Sequence, residues 1–138
     1  PSKSKTKAVN LKNYTILIVD DDEALRNALV LDYRRKGFTV LSAESGKQAF
    51  EIVKNTKIHL VVSDIRMPDG DGMSLLKDIM SNDKTNPIVI FVTGFSDVTE
   101  EEALEEGAKE IIAKPFDRLT LMSSVYEALG LAKLLEVA

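Results

Sequence analysis

The sequence contains no cysteine, no tryptophan and a single histidine among its 138 residues. The absence of cysteine excludes thiol catalysis, disulfide scaffolds and thiolate metal sites. One histidine is too few for a zinc site that needs several. No apolar run approaches the ~20 residues of a membrane-spanning helix, and no signal peptide begins the chain. We therefore expect a cytoplasmic protein that makes no membrane contacts.

The formal net charge of −4 is unevenly distributed along the chain. Residues 1–13 contain four lysines and no acid, which leaves a charge of −8 for the remainder. We expect residues 1–13 to form a basic, disordered tail. The acidic remainder argues against direct nucleic-acid binding by the main domain. Residues 97–110 alone carry −6, which is typical of a solvated helix face.

Apolar runs of strand length alternate with amphipathic helical stretches along most of the chain. The runs lie at residues 14–19, 38–41, 58–63, 87–93 and 110–113. Their unbroken apolar character indicates strands buried on both faces of a parallel sheet. With a helix predicted after each strand and right-handed crossovers, the pattern predicts an α/β fold. The predicted fold is a doubly wound, five-stranded parallel sheet with helices on both faces.

Helix boundaries are predicted from capping residues. Short polar side chains precede the helical stretches, and two of them have a glutamine or glutamate three residues later, the spacing of a capping box. Glycines follow several helical stretches, where they stop helices in the left-handed conformation. The candidate N-caps are Asp22, Ser45 with Gln48, and Asp97 with Glu100, and the candidate stops are Gly37, Gly107 and Gly130. Gly130 has an alternative interpretation, as part of a longer final helix.

Polar side chains of complementary chemistry stand at the ends of four of the five runs. They are Asp20, Asp21 and Asp22 after the first, Asp64 after the third, Thr93 at the end of the fourth and Lys114 after the fifth. Ligands of doubly wound sheets bind beyond the carboxyl ends of the strands, so we expect these side chains to meet. Clustered carboxylates need a counter-charge, and Mg²⁺ prefers such oxygen ligands. The lysine and the hydroxyl indicate an anionic ligand such as a phosphoryl group.

The order and spacing of these residues resemble a known family. The segments ILIVDDD (16–22), SDIRMPDGDG (63–72), VTG (92–94) and AKPF (113–116) are similar to motifs of the receiver domain of two-component response regulators. The resemblance covers residues 14–130 and implies the CheY-like, flavodoxin-like strand order 2-1-3-4-5. Residues 131–138 would then be a helical extension or the start of a linker.

The resemblance also implies the chemistry of the site. Asp64 would be the phosphoacceptor and would attack a phosphohistidine on a partner histidine kinase or phosphotransfer protein. Lys114 would contact the acceptor carboxylate and then the phosphoryl oxygens, and Thr93 would hydrogen-bond the phosphoryl group. The Lys114–Pro115 peptide bond would be cis. The domain would be a signalling phosphoacceptor, not an enzyme with a separate substrate.

A magnesium site is implied at the same place. Asp21 and Asp64 would bind Mg²⁺ directly, together with the backbone carbonyl of Arg66. Asp20 would act through a metal-bound water. Mg²⁺ is the only cofactor that the resemblance implies.

Phosphorylation would shift the domain between two conformations that control an output. In the family, the fourth helix, the fifth strand and the last helix often form the surface for an output domain, a partner protein or a homodimer. The segment SDIRMP (63–68) resembles the corresponding segment of receivers joined to transcription activators, which suggests regulation of transcription. Ile111 occupies the position of a common aromatic switch residue, and Arg66 and Phe95 occupy positions that tune phosphoryl hydrolysis. We expect a long-lived phosphoaspartate.

Two other classes remain as alternatives. One is a pseudo-receiver, which binds proteins without being phosphorylated. The complete set of acids, threonine and lysine argues against it. The other is a phosphotransferase similar to haloacid dehalogenases, whose nucleophilic aspartate would follow the first strand in a DxD pattern. Here the first strand ends in DDD, and the candidate nucleophile follows the third strand.

Overall fold

Each of the five apolar runs folds into a strand, and a helix follows each strand. The computed structural model describes residues 9–82, 87–94 and 99–137. The strands are β1 (Thr15–Val19), β2 (Thr39–Ala43), β3 (Leu60–Ser63), β4 (Ile88–Thr93) and β5 (Glu110–Ala113). The helices are α1 (Glu23–Lys36), α2 (Gly46–Asn55), α3 (Gly72–Asn82), α4 (Glu100–Glu106) and α5 (Arg118–Ala128). Short 3₁₀ helices span Leu11–Asn13 and Ala132–Val137.

The sheet is parallel throughout, and its strand order β2-β1-β3-β4-β5 confirms the prediction. Val19 pairs with Ser63, and Ser63 pairs with Phe91. Because β1 and β3 end in register, the residues that follow them lie side by side. We call the edge formed by these C-terminal strand ends the carboxyl edge.

Side chains alternate between two cores, one on each face of the sheet. Ile16 and Ile18 pack with α1 and α5, whereas Leu17 and Val19 pack with α2, α3 and α4. The helices contribute Leu29, Tyr33, Leu121 and Val125 to the first core. They contribute Ala49, Leu75, Ile79 and Ala103 to the second core. The prediction of helices on both faces is therefore confirmed.

The strand boundaries differ from the predicted ones by two residues at two places. In addition, β1, β2 and β4 begin one residue later than predicted, at Thr15, Thr39 and Ile88. β2 continues to Ala43, two residues beyond the apolar run, because Ala43 still pairs with Val19. Exposed Ser42 ended the apolar pattern early, since β2 is an edge strand that is less completely covered. β3 begins at Leu60 instead of residue 58.

Most of the predicted helix ends are confirmed. The side chain of Asp22 accepts a hydrogen bond from the Leu25 amide at 3.2 Å and caps α1. Gly37 and Gly107 end α1 and α4 at φ values of 111° and 119°, a conformation that residues with a Cβ adopt at a cost. These local signals place both ends of α1 correctly.

Ser45 caps α2, but the predicted capping box is only half formed. The Ser45 hydroxyl accepts from the Gln48 amide at 3.1 Å. The Gln48 side chain accepts in turn from the Glu44 amide at 2.8 Å, one residue before the cap. The prediction of a reciprocal Ser45–Gln48 pair was therefore wrong in its second bond.

The N-cap of α4 is Thr99, two residues after the predicted position. The Thr99 hydroxyl accepts from the Glu102 amide at 3.0 Å, and Glu102 accepts from the Thr99 amide at 3.1 Å. The prediction had placed the cap at Asp97, which lies outside the described residues, with Glu100 as its partner. Both pairs have capping-box spacing, so the spacing did not distinguish them.

The two ends of the described chain pack against the sheet. Residues 11–13, expected to be part of the disordered tail, form a 3₁₀ helix, because Asn10 caps it and Leu11 packs against the first core. Residues 1–8 lie outside the described part. After α5, Gly130 has a left-handed φ of 76°, which ends the helix. The alternative of a longer final helix is therefore wrong. Within the described residues, no helix has the length and apolarity needed to cross a bilayer.

Candidate functional site

The carboxyl edge brings the predicted site residues together. Asp20 follows β1, Asp64 follows β3, Thr93 ends β4 and Lys114 follows β5. Asp20, Asp64 and Thr93 are buried, with exposed fractions of 1%, 5% and 6%. Asp21 is exposed to solvent. The four strand ends therefore converge as the sequence predicts.

Lys114 links the two buried carboxylates. Its Nζ atom lies 2.8 Å from Asp64 Oδ2 and 3.3 Å from Asp20 Oδ2. Its amide donates to the Thr93 carbonyl at 2.8 Å, which fixes the chain at the end of β5. The Lys114–Pro115 bond is cis, as the resemblance implied. The lysine is thus held by its backbone and directed at both acids.

Each buried carboxylate uses its other oxygen to accept from a backbone amide. Asp20 Oδ1 accepts from the Asp22 amide at 2.9 Å. Asp64 Oδ1 accepts from the Ile65 amide at 2.7 Å. Hydrogen bonds to charged carboxylates are the strong ones, so both side chains are held in one orientation before any ligand arrives.

The electrostatics of the site leave negative charge in excess. Burial raises the pKa of Asp20, and the charge of Asp64 raises it further, against the opposing effects of the Asp22 amide and Lys114. Burial alone would lower the pKa of Lys114, but its hydrogen bond to Asp64 and the charges of both acids outweigh this and raise it. Lys114 is therefore the charged partner of carboxylates that it only partly compensates.

The donor set fits a hard divalent cation. Asp20, Asp21 and Asp64 each offer a carboxylate oxygen, and these oxygens lie within 4.8 Å of one another. They border an open cleft of about 540 Å³, which Arg66, Met67, Pro68 and Lys114 also line. Oxygen ligands, surplus negative charge and access for water are what Mg²⁺ requires. The residues present are thus suited to the predicted cofactor.

Glycines behind the site were missed as functional residues by the sequence analysis. A Cβ on Gly72 would collide with the carbonyl oxygen of Asp64, and one on Gly46 would lie 2.5 Å from that of Gly70. The backbone after Asp64 is therefore packed directly against the start of α3 and of α2. Gly70 and Gly72 entered the sequence analysis only as part of the segment SDIRMPDGDG, and nothing in their spacing identified this contact.

Three further residues are Ile111, Phe95 and the single histidine, His59. Ile111 is half-buried against the core formed with α2, α3 and α4, at the position expected for a switch residue. Phe95 lies outside the described residues. His59 lies at the opposite edge of the sheet, where its Nδ1 accepts from the Thr15 amide at 3.0 Å. The pKa of His59 is lowered by burial and by the charge of Lys57, which fits a structural histidine.

Comparisons with known proteins agree on one family. A family model for the response regulator receiver domain matches residues 16–126. Over 118 residues, the chain is 37% identical to the transcriptional regulatory protein ZraR of Escherichia coli strain K12, covering 86% of this chain and 27% of ZraR. The chain spans about a quarter of the length of the curated relatives it matches.

Solved structures show the same similarity. The CheY-like receiver domain protein from Methanospirillum hungatei JF-1 matches with a TM-score of 0.81 and 27% identity, over 87% of this chain and 96% of that one. A complex of CheX, CheY, BeF₃ and Mg²⁺ from Borrelia burgdorferi matches with a TM-score of 0.77 and 33% identity, over 83% of this chain and 87% of that one.

Proposed function

Because this chain belongs to the response regulator receiver domain family, we propose that Asp64 accepts a phosphoryl group from a partner histidine kinase or phosphotransfer protein. Receiver domains of response regulators are signalling phosphoacceptors. The observation that carries the proposal is the environment of Asp64. Its carboxylate is buried, aligned by the Ile65 amide and paired with Lys114 at 2.8 Å at the mouth of an acidic cleft.

The proposed transfer needs no general base, because a carboxylate is already an anionic nucleophile. An oxygen of Asp64 forms a bond to phosphorus while the bond from phosphorus to the partner's histidine nitrogen breaks. The electron pair of that broken bond returns to the imidazole. Lys114 and the hydroxyl of Thr93 stabilise the charge on the transferred oxygens. The domain itself catalyses only its own phosphorylation and dephosphorylation.

Asp21, Asp64 and the backbone carbonyl of Arg66 would hold Mg²⁺ directly, and Asp20 would hold it through water. When bound, Mg²⁺ neutralises charge on the transferring phosphoryl group. The carboxylate oxygens within 4.8 Å of one another support this assignment. Asp20 also orients Lys114, so it has a role in the metal-free site as well.

Phosphorylation adds charge and acceptor oxygens beside Thr93, and we expect it to shift a pre-existing equilibrium between two conformations. The output surface in this proposal consists of α4, β5 and α5. Regulation of transcription is the proposed output, since the similar ZraR is a transcriptional regulatory protein. Four further points stay predictions: the partner of the output surface, homodimer formation, a long-lived phosphoaspartate and a cytoplasmic location.

The haloacid-dehalogenase-like alternative is less well supported. Its nucleophile would be Asp20, with Asp22 as the second acid of the DxD pattern. Lys114 lies nearer to Asp64 (2.8 Å) than to Asp20 (3.3 Å), and the side chain of Asp22 caps α1. The pseudo-receiver alternative leaves the assembled Asp64–Lys114 pair without a purpose.

The test is phosphorylation by a small phosphodonor in the presence of Mg²⁺. We expect wild-type protein to gain one phosphoryl group, detected by intact mass spectrometry, and Asp64→Asn to gain none. Asp69→Asn is the matched control, because Asp69 lies in the same loop, is exposed, and has a left-handed φ of 61° that asparagine also tolerates. This control should be phosphorylated like the wild type.

Three results would contradict the proposal. An unchanged phosphoryl adduct on Asp64→Asn would place the acceptor elsewhere. Hydrolysis of a separate phosphorylated substrate would favour the phosphotransferase class. The absence of any adduct, with either the phosphodonor or beryllofluoride, would favour the pseudo-receiver.

A further inference from the structure

Arg26 makes a contact behind the acidic cleft that the proposed function does not use. It lies in α1, half-buried, and its Nη1 atom donates to the backbone carbonyl of Asp20 at 2.8 Å. That carbonyl belongs to the peptide group that joins Asp20 to Asp21. The guanidinium therefore fixes the plane of the peptide group immediately before Asp21.

The peptide group after Asp21 is fixed as well. The amide of Asp22 donates to Asp20 Oδ1 at 2.9 Å, and the side chain of Asp22 caps α1. Both peptide groups that flank Asp21 are thus held by hydrogen bonds. Among the described residues, none makes a hydrogen bond or ion pair with the exposed Asp21 carboxylate itself. Its position relative to Asp20 and Asp64 consequently depends on its backbone.

We propose that Arg26 is a positioning residue for the divalent cation, which it never touches. By holding the Asp20–Asp21 peptide group, it presents the Asp21 carboxylate to the space between Asp20 and Asp64. An exposed side chain on a mobile backbone would lose more conformational entropy when it binds a cation. This inference rests on the proposed function, because it assumes that the three carboxylates hold Mg²⁺.

The chain contains a matched control in Arg34. It lies in the same helix, and its Nη2 atom donates to the Val40 carbonyl at 3.0 Å across the same separation of six residues. Both bonds attach α1 to a strand or to the residue after one, and both are part-buried. Only the Arg26 bond reaches the cleft. Loss of α1 docking in general should therefore affect both variants alike.

The experiment compares wild type, Arg26→Gln, Arg34→Gln and Arg26→Lys in two measurements. Calorimetry gives the affinity for Mg²⁺ without a phosphodonor. Amide hydrogen exchange in EDTA gives the protection of the Asp22 amide in the metal-free protein. We expect Arg26→Gln to weaken Mg²⁺ binding by roughly 10-fold, as for other residues that orient metal ligands, and to speed exchange of this amide. Arg34→Gln should leave both values close to wild type.

The direction of the change in Mg²⁺ affinity distinguishes positioning by Arg26 from a simple effect of its charge. Removal of a positive side chain near a cation site strengthens Mg²⁺ binding by Coulomb's law, which is opposite to the change that positioning predicts. Arg26→Lys keeps the charge and one donor that reaches the same carbonyl, so we expect it to recover part of the affinity. It also serves as the second variant if Arg26→Gln does not fold.

Two outcomes would overturn the inference alone: equal or tighter Mg²⁺ binding by Arg26→Gln, or an equal loss in Arg26→Gln and Arg34→Gln. Failure of the wild type to bind Mg²⁺ would instead overturn the proposed magnesium site and this inference together. Wild-type binding with an unaffected Arg26→Gln leaves the proposed function standing.

Discussion

At the scale of single residues, the site combines two buried aspartates with one lysine. Asp20 and Asp64 are 1% and 5% exposed, and both contact Lys114. Like charges that share one counter-ion disfavour joint ionisation, and burial raises the pKa of Asp20 in the same direction. We therefore expect these carboxylates to lower the stability of the protein when no cation is bound.

Substitution of Asp20 by asparagine should reveal this cost. The pKa of Asp20 in the native state is higher than its ordinary value of 3.8. The stability of the wild type therefore falls as the pH rises from that value through the folded-state pKa. Lys114 stays charged throughout this range, since its pKa is raised from 10.5. In EDTA at pH 7, we expect Asp20→Asn to be more stable by on the order of 1 kcal/mol, with the gain shrinking toward pH 4.

Urea denaturation between pH 4 and pH 7 measures this effect. Asp78→Asn, at an exposed position of α3, is the control and should follow the wild-type pH dependence. Added Mg²⁺ should reduce the advantage of Asp20→Asn, because the wild type gains binding energy in its native state. A less stable Asp20→Asn at pH 7 in EDTA would show that Asp20 is well compensated when the metal is absent.

At the scale of secondary-structure elements, α4 depends most on its ends. It has seven residues, five of them exposed glutamates, and its N-terminus is closed by the Thr99–Glu102 capping box. Acidic side chains in its first turn favour the helix dipole. Only Ala103 is buried, so packing contributes little and the cap carries a large share of the stability. This is the helix of the proposed output surface.

Thr99→Ala should therefore destabilise α4 more than its exposed position suggests. We expect a loss of about 1 kcal/mol, the usual cost of removing a threonine N-cap, together with faster amide exchange within α4. Thr120→Ala, at an exposed position in α5, is the control. It should not lose stability, because alanine is the better helix former. Unchanged exchange in α4 after Thr99→Ala would mean that packing, not the cap, holds this helix.

At the scale of the whole molecule, the C-terminal segment completes one of the two cores. After Gly130 the Leu131 amide donates to the Tyr126 carbonyl at 2.7 Å, and the Leu131 side chain is 7% exposed. Leu134 and Leu135 pack against the same core as α1 and α5. The chain beyond α5 is thus part of the folded unit, which a boundary at residue 130 would divide.

Leu131→Ala should cost about 2–3 kcal/mol of unfolding free energy, as for other buried leucines. Leu119→Ala removes the same atoms from a side chain that is 73% exposed, and its effect should stay within about 0.5 kcal/mol. Urea denaturation of both variants measures the difference. Equal, small effects would show that residues 131–137 do not contribute to the core in solution.

The strand order came from the resemblance to receiver domains, whereas sequence patterns were sufficient for the fold class and the location of the acidic site. The reason is that these features depend on short-range signals: apolar runs, caps such as Asp22, and polar residues where strands end. Because parallel strands share one carboxyl edge, Asp20, Asp64, Thr93 and Lys114 had to meet there. The resemblance to receiver domains added the roles that geometry alone leaves open.

Other features required the folded chain. Thr99 and Asp97 offered the same capping-box spacing, so the sequence alone did not identify Thr99 as the N-cap of α4. The contact of Gly72 with the Asp64 carbonyl, the bond from Arg26 to Asp20 and the burial of Leu131 join segments whose approach no local pattern encodes. Local propensities and periodicity depend on neighbouring residues. Close packing between distant segments forms only once the sheet and helices have assembled.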